Sequence, residues 1–215
     1  LDTTLLNYPL TEKTVEETIN EICRIDMKDD VSFQLISIKP IRRDDHYGGF
    51  CVRIDAVYDM IVTPLSIDIS TGDVITPSAI EYEFSGIFDA KVRIRLWGYN
   101  IETVLAEKME TILSRGIFNT RPRDFYDIYI LVKTQKYSKR IFAEALKASA
   151  GHRGSLDHIS DVSEILQQIF ASGELRKSWE KYQKKYLYAR EIDYDDIMEV
   201  LKEMAAACKL YEGKL

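Results

Sequence analysis

Between residues 31 and 97 the chain alternates apolar and polar side chains in short runs. Val31, Phe33 and Leu35 alternate with Ser32 and Gln34, and Phe50, Val52, Ile54 and Ala56 alternate with Arg53 and Asp55. A period of two puts successive side chains on opposite faces of a strand, so each run predicts a half-buried strand. Asp44-Asp-His-Tyr-Gly-Gly49, between the two runs, is turn-forming and predicts that they make a hairpin. Further strands are predicted at residues 65–69, 81–85 and 92–97. Ahead of them, Thr14-Val-Glu-Glu17 has the form of a capping box, and Val15, Ile19, Ile22 and Cys23 recur at helical spacing. A helix is therefore predicted before the sheet.

After Trp97 the period lengthens. Asn100 is placed to cap a helix that buries Leu105, Met109, Ile112 and Leu113 and ends at Gly116. Further helices are predicted at residues 124–133, 138–150, 162–172, 175–188 and 194–210, with a loop at 151–154. The chain thus reads as α+β: a mixed sheet lobe over residues 1–98, then a helical lobe over 99–215. A cleft between two such lobes is where a ligand is expected.

Composition changes this picture little. A chain of 215 residues with 46% hydrophobic and 30% charged side chains, and no Pro/Gly/Ser-rich linker, reads as one globular unit. Its apolar runs, such as residues 128–132, are too short to cross a bilayer, and its first residues lack a signal-peptide pattern, which predicts a cytoplasmic protein with no membrane partner. Cys23, Cys51 and Cys208 have neither disulfide nor zinc spacing and read as free thiols. The net charge of −6 excludes a bulk coating of nucleic acid but leaves room for a local basic patch. Lys133, Lys136, Lys139 and Arg140 read first as a solvated face, with an RNA-phosphate contact as the alternative. His46, His152 and His158 fall in predicted turns or loops without metal-binding spacing and read as surface residues.

Candidate chemistry lies in three places. Asp68 sits mid-strand between Ile67 and Ile69, facing away from both. Strand periodicity leaves open whether it is a solvated carboxylate or a cation ligand. Asp73, in Gly72-Asp73, reads as ordinary turn chemistry. Asp2, just after the first residue, gains meaning only if it converges with a second strand carboxylate, as a magnesium site for phosphoryl transfer requires. Lys108 lies in the helix that ends at Gly116, and Arg123, Asp124 and Asp127 open the next one. Asp124 and Asp127, three apart, share a helix face. Spacing alone favours the plainer reading, a helix-start pair of acids in salt bridges and a solvated lysine.

Taken together, Leu1-Asp-Thr-Thr-Leu5, Thr63-Pro-Leu-Ser-Ile-Asp68-Ile-Ser-Thr-Gly-Asp73, the stretch from Asn100 through Ala106-Glu-Lys108 to Arg115, and Asn119-Thr-Arg-Pro-Arg123-Asp124-Phe-Tyr-Asp127-Ile-Tyr129 resemble the AbiEii/AbiGii toxin family. The likeness runs from residue 1 to about residue 132. It implies a polymerase-β-like nucleotidyltransferase fold and an enzyme that moves a nucleotide from an NTP to an RNA acceptor, such as a tRNA, or to a protein. Such an enzyme acts as the toxin of a toxin–antitoxin or abortive-infection system, with a cognate antitoxin as partner. A non-catalytic nucleotide-binding module of the same fold is the alternative, and a magnesium-dependent nuclease a third reading that explains neither Lys108 nor the Asp124/Asp127 pair. By the same resemblance Asp2 and Asp68 hold Mg²⁺ as catalytic ligands, while Lys108 and Asp127 act in catalysis and Lys108, Arg123 and Asp124 bind the nucleotide or acceptor. The family's first motif pairs Gly-Ser with Asp-x-Asp, of which only the second aspartate, Asp2, is present, and the chain opens on Leu1 rather than Met. The expectation is a natural protein that begins upstream, and no transfer by the 215-residue chain alone.

Overall fold

A computed structural model of the chain describes residues 1–6, 8–41, 49–87 and 89–212, excluding the side chains of 209–212. The chain forms two compact units, Leu1–Asp73 and Val74–Leu215. The first consists of β1 (Asp2–Leu5), α1 (Glu12–Cys23), β2 (Ser32–Pro40), β3 (Phe50–Tyr58) and β4 (Ile61–Thr71). Its four strands form one sheet in the order β1-β4-β3-β2. The β2–β3 and β3–β4 pairs are antiparallel, whereas β1 runs parallel to β4. A parallel pair needs a long connection, and α1 with the β2–β3 pair supplies it.

The sequence dictates which sheet face is covered. Val52 and Ile54 of β3 and Ile69 of β4 are buried together with Val15 and Ile19 of α1. Each such side chain contributes about 1.5–3 kcal/mol when fully buried. The alternate positions are polar: Asp2 and Thr4 on β1, Ser66, Asp68 and Ser70 on β4, and Arg53 and Asp55 on β3. Helix α1 begins one turn earlier than its predicted box. Thr11 is the N-cap, its hydroxyl accepting from the Thr14 amide at 3.1 Å while the Thr14 hydroxyl accepts from the Thr11 amide at 3.0 Å. Thr14 is thus the second member of the box, because its hydroxyl fills the reciprocal role usually given to Glu or Gln. Of the predicted turn at 44–49 only Gly49 is described, and the rest, with His46, lies outside the described residues. A Cβ at Gly49 would stand 2.8 Å from the Ile69 carbonyl oxygen, so the passage of the chain beside β4 requires glycine there.

The second unit opens with a two-stranded antiparallel sheet of β5 (Ile80–Ser85) and β6 (Arg93–Gly98). These strands do not extend the first sheet among the described residues, so the strands of 31–97 form two sheets and the compact units part at 73/74 rather than at 98/99. The reason lies in the segment before β5. The Asn100 amide donates to the carbonyls of Thr76 and Ser78 at 2.8 and 2.9 Å, and the Thr103 hydroxyl accepts from the Thr76 amide at 3.0 Å. Residues 76–78 are thereby fastened to the first turn of the next helix.

That helix is α2 (Ile101–Arg115), followed by α3 (Pro122–Thr134), α4 (Lys139–His152), α5 (Val162–Ala171), α6 (Gly173–Lys185) and α7 (Tyr194–Glu212). Side chains of Asn100, Ser138, Asp161 and Ser172 cap α2, α4, α5 and α6, and Gly116, at φ +51°, ends α2. Gly151 and His152 belong to the last turn of α4 and not to a loop; His152 is half-buried and His158 exposed. The core gathers Leu105, Met109 and Ile112 of α2, Phe142 of α4 and Ile197 and Leu201 of α7, all essentially inaccessible to solvent. Buried Glu110 accepts from Arg153 and from the Ser155 hydroxyl at 2.6 and 2.7 Å, which satisfies a carboxylate that would otherwise oppose folding. Cys23 and Cys51 are half-buried and Cys208 is buried, and none of the three forms a disulfide. No helix of the described residues is long and apolar enough to cross a membrane.

Candidate functional site

In the first unit, Asp2 of β1 is the direct register partner of Asp68 of β4. Paired residues on adjacent strands lie about 5 Å apart and share a face, so both carboxylates project from the polar side of the sheet. Like charges set side by side on a sheet repel, and neither carboxylate has an ion-pair or hydrogen-bond partner among the described residues. The backbone fixes this juxtaposition. The Asp68 amide donates to the Leu1 carbonyl at 2.8 Å and the Thr3 hydroxyl to the Asp68 carbonyl at 3.2 Å. Two residues further along both strands, the Thr4 and Ser70 hydroxyls donate to the Asp73 carboxylate at 2.7 and 2.9 Å. Asp73 thus ties β1 to the end of β4, and sequence reasoning, which read it as a turn residue, missed that role. No group of three or more His, Cys, Asp or Glu among the described residues is arranged to hold a metal ion on its own.

In the second unit, α2 and α3 bring Lys108, Asp124 and Asp127 together. The Lys108 ammonium lies 2.6 Å from an Asp127 oxygen and 3.4 Å from Asp124. Arg121 reaches Asp124 at 3.1 Å, and Arg123 approaches Asp127 at 3.8 Å. Asp124 is nearly buried at 5% side-chain exposure, whereas Arg123 is 79% exposed. Three cations against two carboxylates leave a local positive excess in a chain of net charge −6. The predicted arrangement on one side of the helices is present, and Arg121 joins it. Arg121 escaped the sequence reading because it precedes the helix, at the N-cap position before Pro122. Behind the cluster, burial first and then a hydrogen bond to Tyr188 push the Tyr182 phenol above its usual range, the negative charge of Asp127 adding to the effect.

The sequence model of the family "Nucleotidyl transferase AbiEii toxin, Type IV TA system" matches residues 1–200. The chain belongs to this family. Among solved structures, a protein of H. pylori assigned as a nucleotidyltransferase matches at 17% identity, covering 85% of this chain and 68% of that one, with a TM-score of 0.36. The crystal structure of JHP933 from Helicobacter pylori matches at 18% identity, covering 85% of this chain and 66% of that one, with a TM-score of 0.37. The chain therefore spans about two thirds of each of these proteins. No curated protein matches it. The AbiEii chain has the expected α+β make-up, a mixed sheet followed by helices, and as a family member it is a nucleotidyltransferase-type toxin of a type IV toxin–antitoxin system. Within it the basic residues 133–140 are partly spent on local contacts: Arg140 pairs with Glu144 and the Lys133 ammonium lies 5.8 Å from the Tyr129 ring.

Proposed function

We propose that this AbiEii toxin is a Mg²⁺-dependent enzyme that transfers a nucleotide from an NTP to an RNA acceptor, such as a tRNA. The observation that carries the reading is the β1–β4 register, which sets Asp2 beside Asp68 with no ion-pair partner for either carboxylate among the described residues. Mg²⁺ takes one or two carboxylates and completes its shell with phosphate oxygens and waters. Two adjacent carboxylates therefore fit a metal that arrives with the triphosphate, and Asp2 and Asp68 would hold it. When bound, the ion neutralises charge on the phosphate oxygens.

The chain's own residues supply the rest. Nucleotidyl transfer gathers negative charge on the triphosphate without a covalent enzyme intermediate, so positioning and electrostatics carry it. Taken by itself, the second unit offers a cation on Lys108 that Asp124 and Asp127 hold in place, with exposed Arg123 beside it, a cluster suited to a phosphate of the nucleotide or acceptor. Asp73, through Thr4 and Ser70, keeps β1 in the register that aligns the carboxylates. NTPs and RNA acceptors place this activity in the cytoplasm, and an antitoxin partner follows from the family.

The test is incubation of the natural protein with Mg²⁺, each labelled NTP in turn and a tRNA pool, followed by gel electrophoresis. Lengthened, labelled RNA is expected, lost in Asp68→Ala while circular dichroism stays unchanged. Shortened RNA would mean a nuclease. Absence of label from RNA and protein with all NTPs would leave the fold as a nucleotide-binding module.

A further inference from the structure

A second basic surface of this unit lies on neither α2 nor α3. Residues 173–190, α6 and the 3-10 turn Leu187–Ala189 after it, hold six Lys or Arg and two Glu in a chain of net charge −6. Leu175, Trp179 and Tyr182 form the buried side of α6. At 100° per residue, Lys177, Lys181 and Lys184 fall on the opposite side and Lys185 on its flank, and all four are exposed. None of the four is held by a carboxylate among the described residues; Arg176, on the other flank, is the member of the group that pairs, with Asp195 at 2.6 Å. From Lys177 to Lys185 the stripe spans about 12 Å along the helix.

At its C-terminal end the stripe meets aromatic rings. Tyr186 and Tyr188 stack at 5.4 Å between centroids, and Tyr188 also packs against Tyr126 of α3 at 4.7 Å. The Tyr188 and Tyr182 hydroxyls are 2.9 Å apart, and the Lys185 ammonium lies 5.2 Å from the Tyr186 ring. Tyr188 is nevertheless 53% exposed. Held by these contacts, its ring has little conformational freedom left to lose on binding. On α6 a groove of about 350 Å³ is lined by Glu180, Gln183, Lys184 and Arg190. A row of unpaired lysines ending on pre-positioned rings matches a ligand with phosphates along its length and flat, unstacked bases. An acidic protein would satisfy the lysines, but the exposed ring set at their end is matched more closely by the flat face of a base than by carboxylates.

We propose that the exposed face of α6, from Lys177 to the Tyr186/Tyr188 rings, binds single-stranded RNA, lysines meeting phosphates and Tyr188 stacking a base. The inference rests on the RNA branch of the function proposed above and adds the surface that grips the acceptor. Tyr126 is next in sequence to Asp127, so the rings adjoin the Lys108 cluster within the same unit.

The test is fluorescence anisotropy of a labelled single-stranded RNA with the natural protein, without NTP or Mg²⁺, over a series of salt concentrations. Replacing Lys181 and Lys184 together by Glu is expected to weaken binding about tenfold or more and to lower the slope of log affinity against log salt by about 1.4, since each phosphate contact to a single strand contributes about 0.7. Tyr188→Ala should weaken binding about 5- to 150-fold, the range of one base–aromatic stack, while Tyr188→Phe, which keeps the ring, should bind like the parent. The lysines are exposed, and helical circular dichroism checks each variant's fold. A parent-like affinity and salt slope in the lysine variant would overturn the proposal. So would equal affinity for an RNA duplex, or for poly-glutamate, the latter pointing to an acidic protein partner. The two readings fail separately: RNA binding without transfer leaves this surface standing and removes the enzyme, whereas transfer to a protein without RNA binding does the reverse.

Discussion

Lys108 shows how little spacing alone says about a charged side chain. On a helix it has the form of an ordinary solvated lysine, yet its ammonium is shared between Asp127 at 2.6 Å and Asp124 at 3.4 Å. The two carboxylates do not depend on it equally. Asp124, at 5% exposure, also has Arg121 at 3.1 Å, whereas the second cation near Asp127 is Arg123 at 3.8 Å. Asp127 should therefore carry most of the coupling. In a double-mutant cycle of Lys108→Met and Asp127→Asn, read by urea unfolding, we expect an interaction energy of about 1 kcal/mol or more, in the range for residues in contact. The 22–23% exposure of both side chains keeps it below the value of a fully buried pair. A coupling indistinguishable from zero would mean that the pair is not a structural unit.

Among the elements, α2 carries the heaviest constraint at its start. Asn100 accepts from the Thr103 amide at 2.8 Å as an N-cap, and its own amide group donates to the Thr76 and Ser78 carbonyls. Asn100→Ala removes all three hydrogen bonds at a residue 6% exposed, so the loss should exceed the ~1 kcal/mol of a simple cap and reach about 2 kcal/mol. Asn100→Ser restores the cap but not the ties to 76–78, and should recover about half of that loss. Chemical denaturation of the three proteins checks the order. If Ser recovers everything, the segment before β5 is not held by Asn100. Helix α2 was legible in full because it carries its own punctuation, Asn100 before it and Gly116 after it, and the start of α4 because Ser138 precedes it. The start of α1 was less so, because two threonines three apart, Thr11 and Thr14, both suit a cap and only the hydrogen bonds choose between them.

For the molecule as a whole, the two compact units differ in the size of their cores. Among the described residues, five form the buried cluster of the first, against 27 in the second. Hydrophobic burial scales with area, so the sheet of the first unit should open at lower free energy than the helices of the second. Hydrogen exchange read by mass spectrometry is expected to show peptides from β1 and β4 exchanging well before those from α2 and α7. Equal protection in both would mean that the two units open as one. On the expected outcome the Asp2–Asp68 pair sits in the less stable unit, and the strand ties through Thr3, Thr4, Ser70 and Asp73 are what holds its register.

By itself the sequence determined the kind of nearly every element, since periods of two and 3.6 and the capping residues act over a few neighbours and need no tertiary context. It also put Lys108, Asp124 and Asp127 on helices and Asp68 on the open face of a strand, through the alternation of Ile67, Asp68 and Ile69. Tertiary structure alone decided the rest. Which strand lies beside β4, and in which register, depends on pairing across more than sixty residues, from Asp2 to Asp68, and no local pattern encodes that distance. For the same reason Asp73 passed as a turn residue until Thr4 came to lie against it. The separation of β5 and β6 into their own sheet depended on the hold of Asn100 and Thr103 on Thr76. The ring ledge beside the lysines of α6 likewise exists only because α3 delivers Tyr126 to Tyr188, 62 residues away in the chain and 4.7 Å away in space.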